Sequence, residues 1–151
     1  MELTSTAFGD GEEIPRAHSR DGGDASPPLS WSGAPEGTKA FALVCDDPDA
    51  PRATPWVHWV LADLPASATN LPSAAHGPSK EGVAGRNDFG ELGYGGPAPP
   101  RGHGTHHYHF RLYALDRRLA VARGVTKDEL LRAMKGRVLA EAELTGTYRR
   151  D

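Results

Sequence analysis

Three short segments of the chain carry the side chains that could do chemistry. Residues 46–51 read DDPDAP, residues 56–59 read WVHW, and residues 102–110 read GHGTHHYHF. Together they contain carboxylates, imidazoles, an indole and a phenol, which are groups used in acid–base chemistry and in the binding of polar ligands. Any such chemistry requires the fold to bring the three segments together.

The first segment places three carboxylates directly after an apolar run. Pro48 and Pro51 stiffen it, because proline fixes its own φ and restricts the residue before it. A stiff loop of this kind can hold Asp47 or Asp49 in a defined direction toward a ligand. The plainer interpretation is that these aspartates hydrogen-bond the turn backbone and face water. Taken alone, the segment favours the plainer interpretation.

The second segment sets a histidine in an apolar stripe. If it forms a strand, the side chains alternate between two faces. One face would carry Trp56, His58 and Val60, and the other Val57, Trp59 and Leu61. A lone histidine in such a stripe is more often a core residue than a ligand or a catalyst. His58 therefore needs a partner before it predicts a site.

The third segment supplies partners, because it holds four histidines in seven positions. In a strand, alternation gives one face with His106, Tyr108, Phe110 and Leu112, and another with His107, His109, Arg111 and Tyr113. The first face is predicted to look into a pocket and the second to be solvated. Since the alternation separates the histidines and their spacing matches no known zinc motif, we predict no metal site and no cofactor.

The elements that must position these segments are short strands. Residues 40–45, 56–61 and 106–115 are rich in aromatic and β-branched residues and are bounded by proline or aspartate. No helical pattern separates them, so antiparallel sheets are favoured over a parallel α/β fold. We predict a β-sandwich.

The pattern changes period after Gly124. Thr126 and Glu129 have the spacing of a capping box. Apolar residues then recur every fourth position, at Leu130, Met134, Val138 and Ala142. We predict an amphipathic helix that Gly136 divides into two short ones, followed by a strand over residues 144–148.

Composition and charge exclude several classes of protein. The chain has 151 residues and a net charge of -3 at pH 7, with no basic block, so we expect one domain (residues 1–151) that binds no nucleic acid. No apolar run approaches the roughly 18 residues of a membrane span, and the first residues lack a signal-peptide pattern. A cytoplasmic protein without membrane insertion is expected. The single Cys45 cannot form an internal disulfide and is expected to be inert packing.

Taken in order, the segments resemble the phosphatidylethanolamine-binding protein family, also called the Raf kinase inhibitor protein family. The matching motifs are residues 47–51 (DPDAP), Trp56-x-His58, residues 95–100 (GGPAPP) and residues 102–108 (GHGTHHY). The bacterial branch is similar through residues 26–31 (SPPLSW), 85–90 (GRNDFG) and 139–148 (LAEAELTGTY). The likeness runs from about Phe8 to Tyr148.

The resemblance implies a mainly β fold, an antiparallel β-sandwich (Greek-key-like) with short C-terminal helices and a small anion-binding cavity. Carried over by position, the family's ligand site falls on Asp47, Asp49, Trp56, His58, Pro100, His106 and Tyr108. Backbone N–H groups of the loop that begins at Gly102 add donors for a phosphate. Protonation of the imidazoles below about pH 6.5 is expected to strengthen anion binding.

Three functions remain open at this point. The favoured one is a non-enzymatic binding protein for a phosphate-bearing small molecule or a phosphorylated partner, with regulation of a kinase as its role. A serine protease inhibitor acting through surface loops is one alternative. A hydrolase using Asp47, His58 and His106 is the other, although no GxSxG motif is present. A homodimer through the solvated strand face is a further expectation.

Overall fold

Eight β-strands in two sheets make up most of the regular structure of the computed structural model, which describes residues 1–151. The strands are β1 (Glu2–Thr4), β2 (Leu29–Ser32), β3 (Ala40–Asp47), β4 (Trp56–Pro65), β5 (Asn70–Leu71), β6 (Val83–Ala84), β7 (His106–Leu115) and β8 (Val138–Tyr148). The helix α1 (Lys127–Met134) lies between β7 and β8, and a 3-10 helix (Arg16–His18) lies between β1 and β2.

All strand pairs within the two sheets are antiparallel. The smaller sheet has the order β1-β2-β5, and the larger has the order β6-β4-β3-β7-β8. The three strands predicted from the sequence are present, with β3 and β4 extending further than their apolar runs. The predicted mainly β, antiparallel fold is confirmed.

The larger sheet is buried on both faces. Between the sheets lies a cluster of 20 buried residues, which includes Trp31 from the smaller sheet and Phe41 and Phe110 from the larger. A second cluster of 10 buried residues packs α1 and the loop before it against the opposite face. Burial on both faces explains why β3 is buried at every position instead of alternating.

The C-terminal region contains one helix rather than two. Its start is as predicted, because Thr126 and Glu129 form both hydrogen bonds of a capping box. The prediction was wrong beyond Met134, where Gly136 adopts a φ of 76° and turns the chain into β8. Val138 and Ala142, expected on a helix face, therefore belong to that strand, because a residue pattern of period four also fits a strand of period two.

A bulge corrects the alternation predicted for β4. Trp59 pairs with Cys45 and Val57 with Asp46, so the residue between them, His58, has no partner on β3. Because the bulge adds one residue, the alternation of side chains before it is out of step with the alternation after it. Val57 therefore packs with Val60 in the second cluster, while Trp59, predicted on the same face as Val57, packs in the cluster between the sheets.

Tyr113 corrects the predicted solvated face of β7. His107 is exposed, and His109 and Arg111 are half-buried, but Tyr113 is buried in the second cluster. The inward set is confirmed, since His106, Tyr108, Phe110 and Leu112 are each no more than 1% exposed.

The strand β8 forms one edge of the larger sheet, and the N-terminal segment covers half of it. The backbones of Gly11 and Ile14 donate hydrogen bonds to Thr145 and Thr147, respectively. The other half, Val138 to Glu143, has no strand on its outer side. At the covered half the chains approach closely, because a Cβ added to Gly146 would lie 2.5 Å from Cγ1 of Ile14.

Candidate ligand-binding cavity

One end of the larger sheet brings the three chemistry-bearing segments together. Since β3 runs antiparallel to both neighbours, its last residue, Asp47, meets the first residues of β4 and β7, Trp56 and His106. A cavity of about 380 Å³ lies here. It is lined by Asp47, Ala50, Pro51, Trp56, His58, Phe89, Ala98, Pro99, Pro100, His106 and Tyr108. Six of the eight residues predicted to bind a ligand are in this set.

The other two, Asp49 and Gly102, lie outside the cavity. The Asp49 carboxylate accepts hydrogen bonds from the backbone and the ring of His107. Burial opposes ionisation of Asp49, but these hydrogen bonds outweigh it and lower its pKa. The backbone N–H of Gly102 donates to Arg150, and that of His103 donates to Pro100. These two N–H groups are therefore not available to a phosphate, contrary to the expectation for this loop.

Asp47 and His106 form a buried pair in the cavity wall. His106 Nδ1 lies 2.6 Å from Oδ2 of Asp47, and the two side chains are 2% and 4% exposed. The other oxygen of Asp47 accepts a hydrogen bond of 2.8 Å from the backbone of Asp49. The neighbouring Asp46 points to the opposite face of the sheet, where Arg111 and Lys127 pair with it. Only one of the two adjacent carboxylates therefore reaches the cavity.

His103 extends this pair toward solvent, and the sequence did not single it out. Its Nδ1 lies 2.6 Å from Nε2 of His106, so both nitrogens of the buried ring are engaged. The loop can fold back in this way because Gly102 and Gly104 adopt φ angles of 71° and 90°, which glycine tolerates best. The sequence signal for the contact was the pair of glycines that flank His103.

Removing His103 should expose His106 to reagents. In His103→Ala we expect diethyl pyrocarbonate to modify His106 several-fold faster than in the protein without the substitution, because Nε2 loses its partner and opens to solvent. Site-resolved mass spectrometry measures the rate. His107→Ala is the matched control, since its ring contacts Asp49 outside the cavity. Equal rates of His106 modification in all three proteins would show that His103 does not shield it.

His58 is held as a neutral ring. Its Nδ1 lies 2.6 Å from the carbonyl oxygen of Gly95 and donates to it. Burial lowers its pKa to about 4, although the Gly95 carbonyl and the charge of Asp47 oppose this shift. His58 therefore stays uncharged at pH 5.5, which corrects the expectation that its protonation near pH 6.5 strengthens anion binding.

Tyr108 provides a hydrogen-bond donor that the protein leaves unused. Its hydroxyl is buried and has no hydrogen-bond partner, and its ring meets that of His58 edge to face at a centroid distance of 5.0 Å. Burial also raises the pKa of this phenol well above its usual value, so it stays protonated. The indole Nε1 of Trp56 is a second buried donor without a partner. Two side chains of the cavity wall thus carry unsatisfied donors.

Phe89 forms an aromatic wall that the sequence analysis did not assign to the site. Its ring lies 5.5 Å from those of both Trp56 and His58. The turn that presents it is built by Asn87, whose side-chain oxygen accepts from the backbone N–H of Phe89. The signal was present in the GRNDFG motif, but nothing in its sequence indicated which residue faces the cavity.

The cavity wall contains no lysine or arginine. Three guanidinium groups lie at its outer side and are engaged there. Arg20 lies 4.1 Å from the ring centre of Phe89, and Arg52 lies 4.6 Å from that of Trp56. Arg150 donates to the carbonyl oxygen of Pro99 and pairs with Asp21. The electrostatics of the interior are therefore set by Asp47 and His106.

The structure gives little support for metal binding, thiol chemistry or a membrane-spanning helix. No group of three or more histidine, cysteine, aspartate or glutamate side chains is placed to hold a metal ion. Cys45 is buried, and desolvation raises the pKa of its thiol well above the usual value, so it is the inert packing residue predicted. None of the helices is both long enough and apolar enough to cross a membrane.

Comparison with protein families identifies one that covers nearly the whole chain. The family model for phosphatidylethanolamine-binding protein matches residues 4–149. The chain belongs to this family, which confirms the resemblance seen in the motifs.

Its relatives include proteins from bacteria and archaea. A UPF0098 protein of Methanothermobacter thermautotrophicus is 49% identical over 154 residues, which cover 99% of each chain. The solved structure of the phosphatidylethanolamine-binding protein homologue CT736 from Chlamydia trachomatis matches with a TM-score of 0.91 at 42% identity, covering 99% of this chain and 97% of that one. The structure of Escherichia coli YbcL matches with a TM-score of 0.91 at 36% identity, covering 99% and 98%.

Proposed function

We propose that this protein is a non-catalytic binding protein whose cavity takes a phosphate group, carried by a small molecule or by a phosphorylated partner protein. The observation that carries the proposal is the buried hydroxyl of Tyr108, which has no partner in the protein and stands on a side chain that lines the cavity. Buried polar groups are nearly always hydrogen-bonded, so an unpaired one in a cavity calls for a ligand or a water. A phosphate oxygen is a suitable acceptor.

The composition of the cavity supports a binding role. Apolar and aromatic walls with a few converging polar groups are typical of small-molecule sites, and about 380 Å³ is within the usual range of their volumes. The wall contains no serine, threonine, cysteine or lysine nucleophile. The only carboxylate, that of Asp47, accepts hydrogen bonds at both oxygens. These features favour binding over the hydrolase alternative.

The proposal includes regulation of a kinase, which would act by binding of a phosphorylated segment of that kinase in the cavity. A phosphorylated loop would present the same group as a small phosphate ester, so the cavity would treat the two alike. No structural feature favours the protease inhibitor, which would act through surface loops and leave the cavity unused.

The test is a titration of the histidine side chains by NMR. We expect phosphate and phosphoethanolamine to shift the resonances of His58 and His106 saturably. The shifts should be stronger at about pH 5.5 than at about pH 7.5, because the ligands are then mostly singly charged and the cavity wall has no lysine or arginine to balance a second charge. His106→Ala should abolish the shift of His58, because it removes the ring that Asp47 and His103 hold in the cavity wall. His107→Ala, outside the cavity, should leave it unchanged. Histidine resonances that do not move in a folded protein would contradict the proposal.

A further inference from the structure

The cavity contains an acceptor as well as donors. Because Nδ1 of His58 donates to Gly95, the nitrogen left for a ligand is Nε2, which carries a lone pair in this neutral tautomer. No protein group is hydrogen-bonded to Nε2, and His58 lines the cavity. His58 is the extra residue of the bulge in β4, so it has no paired residue on β3, and its ring lies in the cavity wall.

The donor and the acceptor belong to neighbouring residues of the cavity wall. The rings of His58 and Tyr108 meet edge to face at a centroid distance of 5.0 Å, and they offer the ligand the phenol hydroxyl as donor and the imidazole Nε2 as acceptor. A ligand group that matches both must accept at one atom and donate at another. A fully ionised phosphate or a sulfate has only acceptor oxygens, so it would place a lone pair against the lone pair of His58.

The charges around the cavity point in the same direction. The titratable groups near His58 are Asp46 and Asp47 from β3 and Tyr108 from β7, and His106 lines the same cavity. Asp46 is neutralised on the far face, and no lysine or arginine lines the cavity. The guanidinium groups at its outer side are paired with carboxylates, Arg20 with Glu91, Arg52 with Asp88 and Arg150 with Asp21. The Asp47–His106 pair supplies at most one positive charge against one negative charge. A doubly charged anion would therefore enter without a compensating cation, at a high cost in a buried site.

We infer that His58 makes the site selective for a singly charged oxyanion that still carries a proton, such as the monoanion of a phosphate monoester or a phosphonate, over oxyanions without one. The P–O–H group donates to Nε2 of His58, and Tyr108 donates to another oxygen of the same group. Phosphate esters lose their second proton near pH 6, so this form is common in mildly acidic solution. The inference rests on the proposed function and names the ligand form that the cavity prefers.

A matched pair of ligands tests this selectivity on the unmodified protein. Methylphosphonate and methanesulfonate have the same shape, and at about pH 5.5 each has one negative charge, but only methylphosphonate has an acidic proton. We expect methylphosphonate to bind at least about ten-fold more tightly, because a site built for a donor rejects an analogue that lacks it. Near pH 8.5, where methylphosphonate is a dianion, its affinity should fall by a similar factor. Amide NMR titrations give both dissociation constants.

A variant assigns the selectivity to His58. In His58→Gln the side-chain amide can turn its NH₂ toward the ligand, so we expect the ratio of the two affinities to fall close to one. Asp49→Ala, outside the cavity, should keep the ratio. Since the two-ligand comparison needs no variant, it stands even if His58→Gln is unstable.

The outcomes separate this inference from the proposed function. Equal binding of both ligands at about pH 5.5 would overturn the selectivity and leave an anion site in place. Absence of binding of either ligand to the folded protein would overturn the proposed function and the selectivity together. Preference for methylphosphonate that persists unchanged in His58→Gln would overturn the role of His58.

Discussion

Replacing Asp47 by alanine should lower the free energy of unfolding by about 3 kcal/mol, the effect expected when one member of a buried charged pair is removed. The substitution leaves the buried Nδ1 of His106 without its acceptor, and it also removes the acceptor of the Asp49 backbone N–H. It should also abolish phosphate binding, because the His106 ring then loses the Nδ1 partner that orients it in the cavity wall. Urea unfolding followed by tryptophan fluorescence measures the first effect, and the NMR titration measures the second.

Asp49→Ala is the matched control for this prediction. Asp49 also pairs with a histidine, but its side chain is 41% exposed and that of His107 is 50% exposed. Exposed pairs contribute less than about 1 kcal/mol, so this variant should stay close to the unmodified protein. If Asp47→Ala were as stable as Asp49→Ala, the buried pair would not contribute to stability in the way the geometry indicates.

Replacing Gly146 by valine should destabilise the protein by about 3 kcal/mol, the upper part of the usual range for overpacking a core. Valine is a better strand former than glycine, so strand propensity alone predicts the opposite sign. The steric cost wins because the added Cβ would lie 2.5 Å from Ile14 and 2.8 Å from Phe8. Both of these side chains are buried and cannot move aside.

The control for this variant is Thr147→Val, the next residue along β8. Thr147 is half-buried, and valine has nearly the same shape as threonine, so we expect a change within about 0.5 kcal/mol. Urea unfolding of both variants gives the comparison. A Gly146→Val protein as stable as Thr147→Val would mean that the N-terminal segment moves away from β8 at little cost.

The sequence predicted the fold where a pattern had one interpretation. β7 begins and ends where its apolar and aromatic run does, and the capping box starts α1 at the predicted residue. The pattern after Met134 had two, because apolar residues four apart lie on one face of a helix and also on one face of a strand. Gly136 decided between them through a positive φ that the sequence allowed but did not require.

The site was predicted in its members but not in its chemistry. Motifs and alternation identified most residues of the cavity wall. Alternation alone put Val57 and Trp59 on the same face, whereas they lie on opposite faces, because a bulge leaves no signal in residue types. The state of His58 depends on the carbonyl of Gly95, 37 residues away, and the engagement of His106 depends on the turn of the loop at His103. Contacts of this kind form between segments and have no local pattern.

The half-covered edge of β8 bears on how copies of this protein avoid joining one another. An open strand edge can pair with the same edge of a second molecule and so begin aggregation. The N-terminal segment covers the part near Thr145 and Thr147, and on the uncovered part the exposed carboxylate of Glu141 repels a like strand. The N-terminal segment thus protects one half of this edge from pairing with another molecule, and negative charge protects the other half.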